Sequence, residues 1–108
     1  MDITRFRKMV DDDAKKTGYL MIGDSIKTFV KESSGCIGCG ERDECCLDYH
    51  HIDPRTKKFN MSKPNHGREA VWKEIEKCEI VCSNCHRKLH NYNWTVDQLV
   101  SHMRDRLR

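Results

Sequence analysis

At 108 residues, with 37% apolar and 34% charged, the chain has room for one domain with a thin core and a heavily solvated surface. Arg5, Arg7, Lys8 and Asp11-Asp12-Asp13 exclude the apolar stretch of a secretory signal from the first twenty residues, and no run reads as a membrane span. The net charge of +3 leans towards polyanions without establishing nucleic-acid binding.

Ile3, Phe6, Met9 and Val10 recur at helical spacing, and Asp11-Asp12-Asp13 end that stripe in a solvated turn. The short apolar run from Tyr19 to Ile22 is closed by Gly23-Asp24. Ile26, Phe29 and Val30 then form a second stripe that stops at Ser33-Ser34-Gly35. Residues 1–34 therefore read as a helical extension of two short helices.

From Cys36 the texture changes. Cys36-Ile37-Gly38-Cys39 followed by Gly40 is a tight metal knuckle, and Leu47 to Ile52 is a β-like segment stopped by Asp53-Pro54. His50 and His51 thus fall at a strand end. Residues 57–66 read as a polar loop, and Val71, Trp72 and Ile75 predict a helical turn or two from Arg68 to Lys77. Glu79-Ile80-Val81 is a short extended piece leading into Cys82-Ser83-Asn84-Cys85. Ser83 is placed to cap a helix that runs through Leu89 and carries His86 and His90 on one face. Thr95 with Gln98 makes a capping box for a last helix over 95–108, with Val96, Leu99, Val100, Met103 and Leu107 as its apolar stripe. Arg104, Arg106 and Arg108 lie near its C-terminal end.

In a reducing cytoplasm the seven cysteines stay thiols or thiolates, so metal binding is the default reading and disulfides the alternative. Cys36, Cys39, Cys82 and Cys85 supply the two matched pairs of a structural Zn²⁺ site, a closed tetrahedral shell that staples the fold. Cys45, Cys46 and Cys78 have no matched spacing and read as spare or buried thiols. Adjacent side chains on an extended segment point to opposite sides, so His50 and His51 cannot easily bind one ion together. One can join His86 and His90 around a metal while the other serves as a base for water.

Leu47-Asp48-Tyr49-His50-His51-Ile52-Asp53, followed by Cys82-Ser83-Asn84-Cys85-His86-Arg87-Lys88-Leu89-His90, resembles the HNH endonucleases, and the zinc-stapled phage and bacterial type most of all. The resemblance covers residues 36–90. It implies an α+β protein, a small ββα-metal core with a four-cysteine zinc knuckle and short helices at both termini. It implies His51 as general base, with His50 and His86 as ligands of a catalytic divalent ion and His90 as an additional ligand of the colicin type. It also implies double-stranded DNA as substrate, nicked or cut to 5′-phosphate and 3′-hydroxyl ends. Arg55, Lys57, Lys58, Arg87 and Lys88 are the candidate phosphate contacts, giving affinity but little sequence choice. Imidazole ligands without a carboxylate favour Mn²⁺, Ni²⁺ or Co²⁺ at least as much as Mg²⁺.

The chain departs from the family at its middle asparagine, which braces the loop carrying the base. The matching stretch is Lys77-Cys78-Glu79, and Asn60 and Asn65 are the alternatives. The reading is of a cytoplasmic protein of a bacterial or phage-infected cell, with no membrane contact, as monomer or homodimer. The competing reading is a zinc-stabilised nucleic-acid-binding or scaffold module, which would hold one firm zinc and no exchangeable ion. A thiol redox protein is weaker again, since no thioredoxin-like βαβ pattern surrounds either cysteine pair.

Overall fold

The computed structural model describes residues 1–106, and its elements follow in chain order: α1 (Thr4–Thr17), α2 (Gly23–Ser34), β1 (Leu47–His51), α3 (Arg68–Ile75), β2 (Cys78–Cys82), α4 (Ser83–Asn91) and α5 (Val96–Arg106). Short 3-10 turns at Glu44–Cys46 and Pro54–Thr56 flank β1. The class is α+β, with five α-helices and one two-stranded antiparallel sheet among the described residues. No helix there is long and apolar enough to cross a membrane. Leu107 and Arg108, assigned above to the last helix, lie outside the described residues.

α1 is longer than its apolar stripe suggests. Asp11, Asp12 and Asp13 continue the helix instead of ending it, because Val10 is its last buried anchor and the turns beyond need only helix-tolerant polar residues facing water. Gly18 ends it at φ +72°, its N–H returning to the Ala14 carbonyl.

The N-terminal helices are not an appendage. Ile3, Phe6 and Val10 of the first segment and Ile26 and Val30 of α2 pack with Val71, Trp72 and Ile75 of α3 into the larger of two apolar clusters. Each such side chain contributes about 1.5–3 kcal/mol when fully withdrawn from water. Tyr49 of β1 packs against both clusters, and its hydroxyl donates to the Lys27 carbonyl at 2.7 Å, tying the strand to α2.

The second cluster gathers Leu47, Ile80, Val81, Leu89 and Leu99 around Cys36, Cys82 and Cys85. β1 and β2 pair in the register Leu47↔Cys82 to His51↔Cys78, so the two histidines lie beside the start of β2. Residues 52–77, with α3, separate the paired strands. The capping box of α5 forms as the sequence predicts: Thr95 N–H donates to Gln98 Oε1 at 2.8 Å and Gln98 N–H to Thr95 Oγ1 at 3.2 Å. Leu99, with no exposed surface, seats that helix in the core, while Arg104 and Arg106 are exposed.

Candidate functional site

The sulfur atoms of Cys36, Cys39, Cys82 and Cys85 all lie within 4.8 Å of one another, with Cys39 and Cys82 3.6 Å apart. Two local structures bring them together. The knuckle 36–40 closes through the Gly40 N–H on the Cys36 carbonyl and is pinned to β2 by the Ile37 N–H on the Ile80 carbonyl, both at 2.9 Å. The other pair spans the end of β2 and the first turn of α4. The cap of α4 is Cys82 and not Ser83: its Sγ accepts the Cys85 N–H at 3.4 Å, and Ser83 is already helical. A sulfur serves as cap here because the chain turns into α4 at this pair of cysteines.

The donor set suits a dication. Burial acts to raise the Cys36 thiol, but N–H groups of Cys39, Cys82 and Gly38 outweigh it and hold the group below its ordinary value. Burial, followed by hydrogen bonds to Cys82 and Cys36, pushes the Cys85 thiol well up, and burial likewise raises Cys39. Four sulfurs so close cannot all ionise without a compensating cation, which deprotonates its thiol ligands outright. These cysteines could hold a zinc ion.

His50, His86 and His90 form a second group, their ligand nitrogens also within 4.8 Å of one another. Their ring centroids are 5.2 Å (His50 to His86), 5.6 Å (His50 to His90) and 4.7 Å (His86 to His90) apart. β1 contributes the first and successive turns of α4 the other two. Burial and the neighbouring histidines push the His50 pKa down, favouring the neutral imidazole that a metal requires. Asp48, two residues before His50 on the same strand, places Oδ2 3.3 Å from His86 Nδ1 and leaves Nε2 free. Sequence reading passed over Asp48, although its i, i+2 spacing from His50 was the available signal.

His51 points elsewhere. Its Nε2 lies 2.7 Å from Oε2 of Glu74 on α3, a carboxylate with 1% of its side chain exposed. That same oxygen accepts the Lys58 N–H at 3.0 Å, and Oε1 accepts Lys77 Nζ at 2.9 Å. Desolvation opposes ionisation of Glu74, yet the hydrogen bonds from Lys77, His51 and Lys58 hold its pKa below the usual glutamate value. Neither asparagine alternative reaches His51: Asn60 Oδ1 accepts from Ser62, and Asn65 occupies a left-handed turn at φ +69°. A buried glutamate on a short helix had no motif to announce it.

A cleft of about 330 Å³ is lined by His51, His86, Asp48, Lys31 and Lys57. A neighbouring cleft is lined by His50, His51, His86 and His90 together, and again by Lys57. Lys57 is thus the one proposed phosphate contact that borders both. Arg55 is turned onto Asp53 through two 3.0 Å bonds, Lys88 lies against Met103, and Lys58 and Arg87 are exposed.

Of the remaining thiols, Cys78 is fully buried and pushed up to about 12 by burial and the Glu74 charge. Cys45 and Cys46 stand 3.8 Å apart on the exposed 3-10 turn, grouped with Asp43 in a way their spacing did not suggest. The hydrogen bonds of Cys45 to Asp43 and Cys46 push its pKa to about 11, so it stays protonated near neutrality. Compared with protein-family models, curated proteins and solved structures, the chain gives no match.

Proposed function

We propose that this protein is a metal-dependent endonuclease of the HNH type, hydrolysing phosphodiester bonds of double-stranded DNA. The observation that carries the reading is the division of labour between adjacent histidines. His50 joins His86 and His90 in one imidazole cluster, whereas His51 turns to Glu74, and both line one cleft. A purely structural zinc site, complete with four thiolates, has no need of this second arrangement.

The division matches the demands of the reaction. Hydrolysis of a phosphodiester needs a base for the attacking water and positive charge against the phosphate and leaving oxygen. His51 takes the proton of the water. His50, His86 and His90 would hold a divalent cation, Mn²⁺, Ni²⁺, Co²⁺ or Mg²⁺, whose charge supplies the electrostatic part. Asp48 orients His86 by engaging Nδ1. Lys57, bordering both clefts, meets the phosphate backbone. The antiparallel β1–β2 pair followed at once by α4 is consistent with a ββα-metal core, stapled by zinc at Cys36, Cys39, Cys82 and Cys85.

The test is relaxation of supercoiled plasmid by wild type and His51→Ala, each in EDTA, Mg²⁺ and Mn²⁺, with bound zinc measured on the same samples. Metal-dependent nicking by wild type, lost in a variant that keeps its zinc, is the expected result. A folded, zinc-loaded wild type that cleaves under no metal would overturn the proposal in favour of the binding module. Activity far better in Mg²⁺ than in Mn²⁺ would refute the all-imidazole ligand set.

A further inference from the structure

We infer that Glu74 is the positioning residue for His51: it takes the place of the missing asparagine brace and selects Nδ1 as the nitrogen that receives the proton. The inference rests on the nuclease reading for its catalytic consequence, but its structural content stands on the contacts of Glu74 alone.

A neutral imidazole carries one N–H and one lone pair, and whatever engages one nitrogen decides what the other can do. Oε2 of Glu74, 2.7 Å from His51 Nε2, can only accept. The proton therefore sits on Nε2 and the lone pair on Nδ1. The described residues put no protein partner on Nδ1, and no buried side-chain nitrogen or oxygen lacks one, so Nδ1 opens to solvent in the cleft. It is the nitrogen available to a water molecule there.

The carboxylate is itself immobilised. Its two oxygens accept from Lys58 N–H and Lys77 Nζ, and Lys77 Nζ also donates to the Thr56 carbonyl at 2.8 Å. Thr56 and Lys58 belong to the stretch leaving β1 just after His51, so one side chain on α3 holds both the ring and the backbone beyond it. A carboxylate does more than an amide could at this position, because it accepts from all three donors at once and carries the charge that complements Lys77. The logic is that by which a buried acid orients a catalytic histidine in other hydrolases, with the two ring nitrogens exchanged.

The experiment compares zinc-loaded wild type, Glu74→Ala and Glu74→Gln by long-range ¹H–¹⁵N spectra of the His51 ring at neutral pH, and by plasmid nicking in Mn²⁺. Wild type should show the Nε2–H tautomer. Glu74→Ala should mix the tautomers and lower kcat about 10- to 100-fold with KM for DNA little changed, the range seen when the outer partner of a metal-ligating histidine is removed. Glu74→Gln should preserve the tautomer and most of kcat, since its single oxygen is best placed between two donors, His51 and Lys58, with the mobile Lys77 giving way. A wild-type ring protonated on Nδ1, or a Glu74→Ala variant with wild-type tautomer and kcat, would overturn the inference. If Glu74→Ala fails to retain zinc or fold, the wild-type tautomer decides it. If wild type does not nick at all, the nuclease reading fails, while the tautomer spectra still decide whether Glu74 orients His51.

Discussion

Gly38, the inner residue of the first knuckle, is the position where one added methyl group should do most damage to the zinc site. A Cβ built there would lie 2.9 Å from Cys85 Sγ and 3.2 Å from Leu99 Cδ2. Comfortable contacts to carbon begin at about 3.5 Å. Both neighbours would have to retreat by several tenths of an ångström, and neither has room: Cys85 is 1% and Leu99 0% exposed. Overpacking of this kind costs about 1–3 kcal/mol, against which loss of glycine freedom in the unfolded chain returns about 0.4–1 kcal/mol. The net cost of about 1–2 kcal/mol falls on the sulfur cluster. Gly38→Ala should therefore weaken zinc binding by roughly 5- to 30-fold at 1.4 kcal/mol per factor of ten. Competition for zinc with a chromogenic chelator at neutral pH measures this, and Gly67→Ala is the control. A Cβ at Gly67 meets nothing within 4 Å, and its φ of −66° suits alanine. Gly38→Ala binding zinc as tightly as the Gly67 variant would refute the packing argument.

Other consequences follow from individual contacts. Leu99→Ala empties the only fully buried position of α5 among the described residues, and should lower stability by about 2–5 kcal/mol in chemical denaturation. Early hydrogen exchange confined to α5 would show that the loss is local. Glu74 has a folded pKa below its unfolded one, so its contribution is complete above the unfolded value near 4.5 and is lost as pH falls through the folded value. Acid titration of stability should show that limb flattened in Glu74→Gln. Tyr49→Phe should cost about 1 kcal/mol in urea unfolding by removing the second hydrogen bond on the Lys27 carbonyl, which also accepts within α2. In fluorescence titrations against duplex DNA, Lys57→Ala should weaken binding to all sequences alike and reduce the salt slope by about one, whereas Arg55→Ala, already neutralised by Asp53, should change it less.

Chain order alone determined the parts whose chemistry is local. The spacing within Cys36–Cys39 and Cys82–Cys85 announces the thiol site, because a knuckle places two sulfurs on one ion whatever lies between the pairs. The alternation of a strand separates His50 from His51, and the four-residue step of a helix aligns His86 with His90. Thr95 and Gln98 likewise mark their own helix start. Tertiary structure decided what no spacing encodes. Glu74 reaches His51 across 23 residues and Asp48 reaches His86 across 38, each a single polar side chain whose meaning depends on what the fold sets beside it. The N-terminal helices, which carry no motif, supply much of the larger core: their apolar stripes mark the faces to be buried, but only the fold decides that those faces meet α3. α1 likewise outlasts its apolar stripe, because aspartates that break an apolar stripe do not break a helix whose outer face is water.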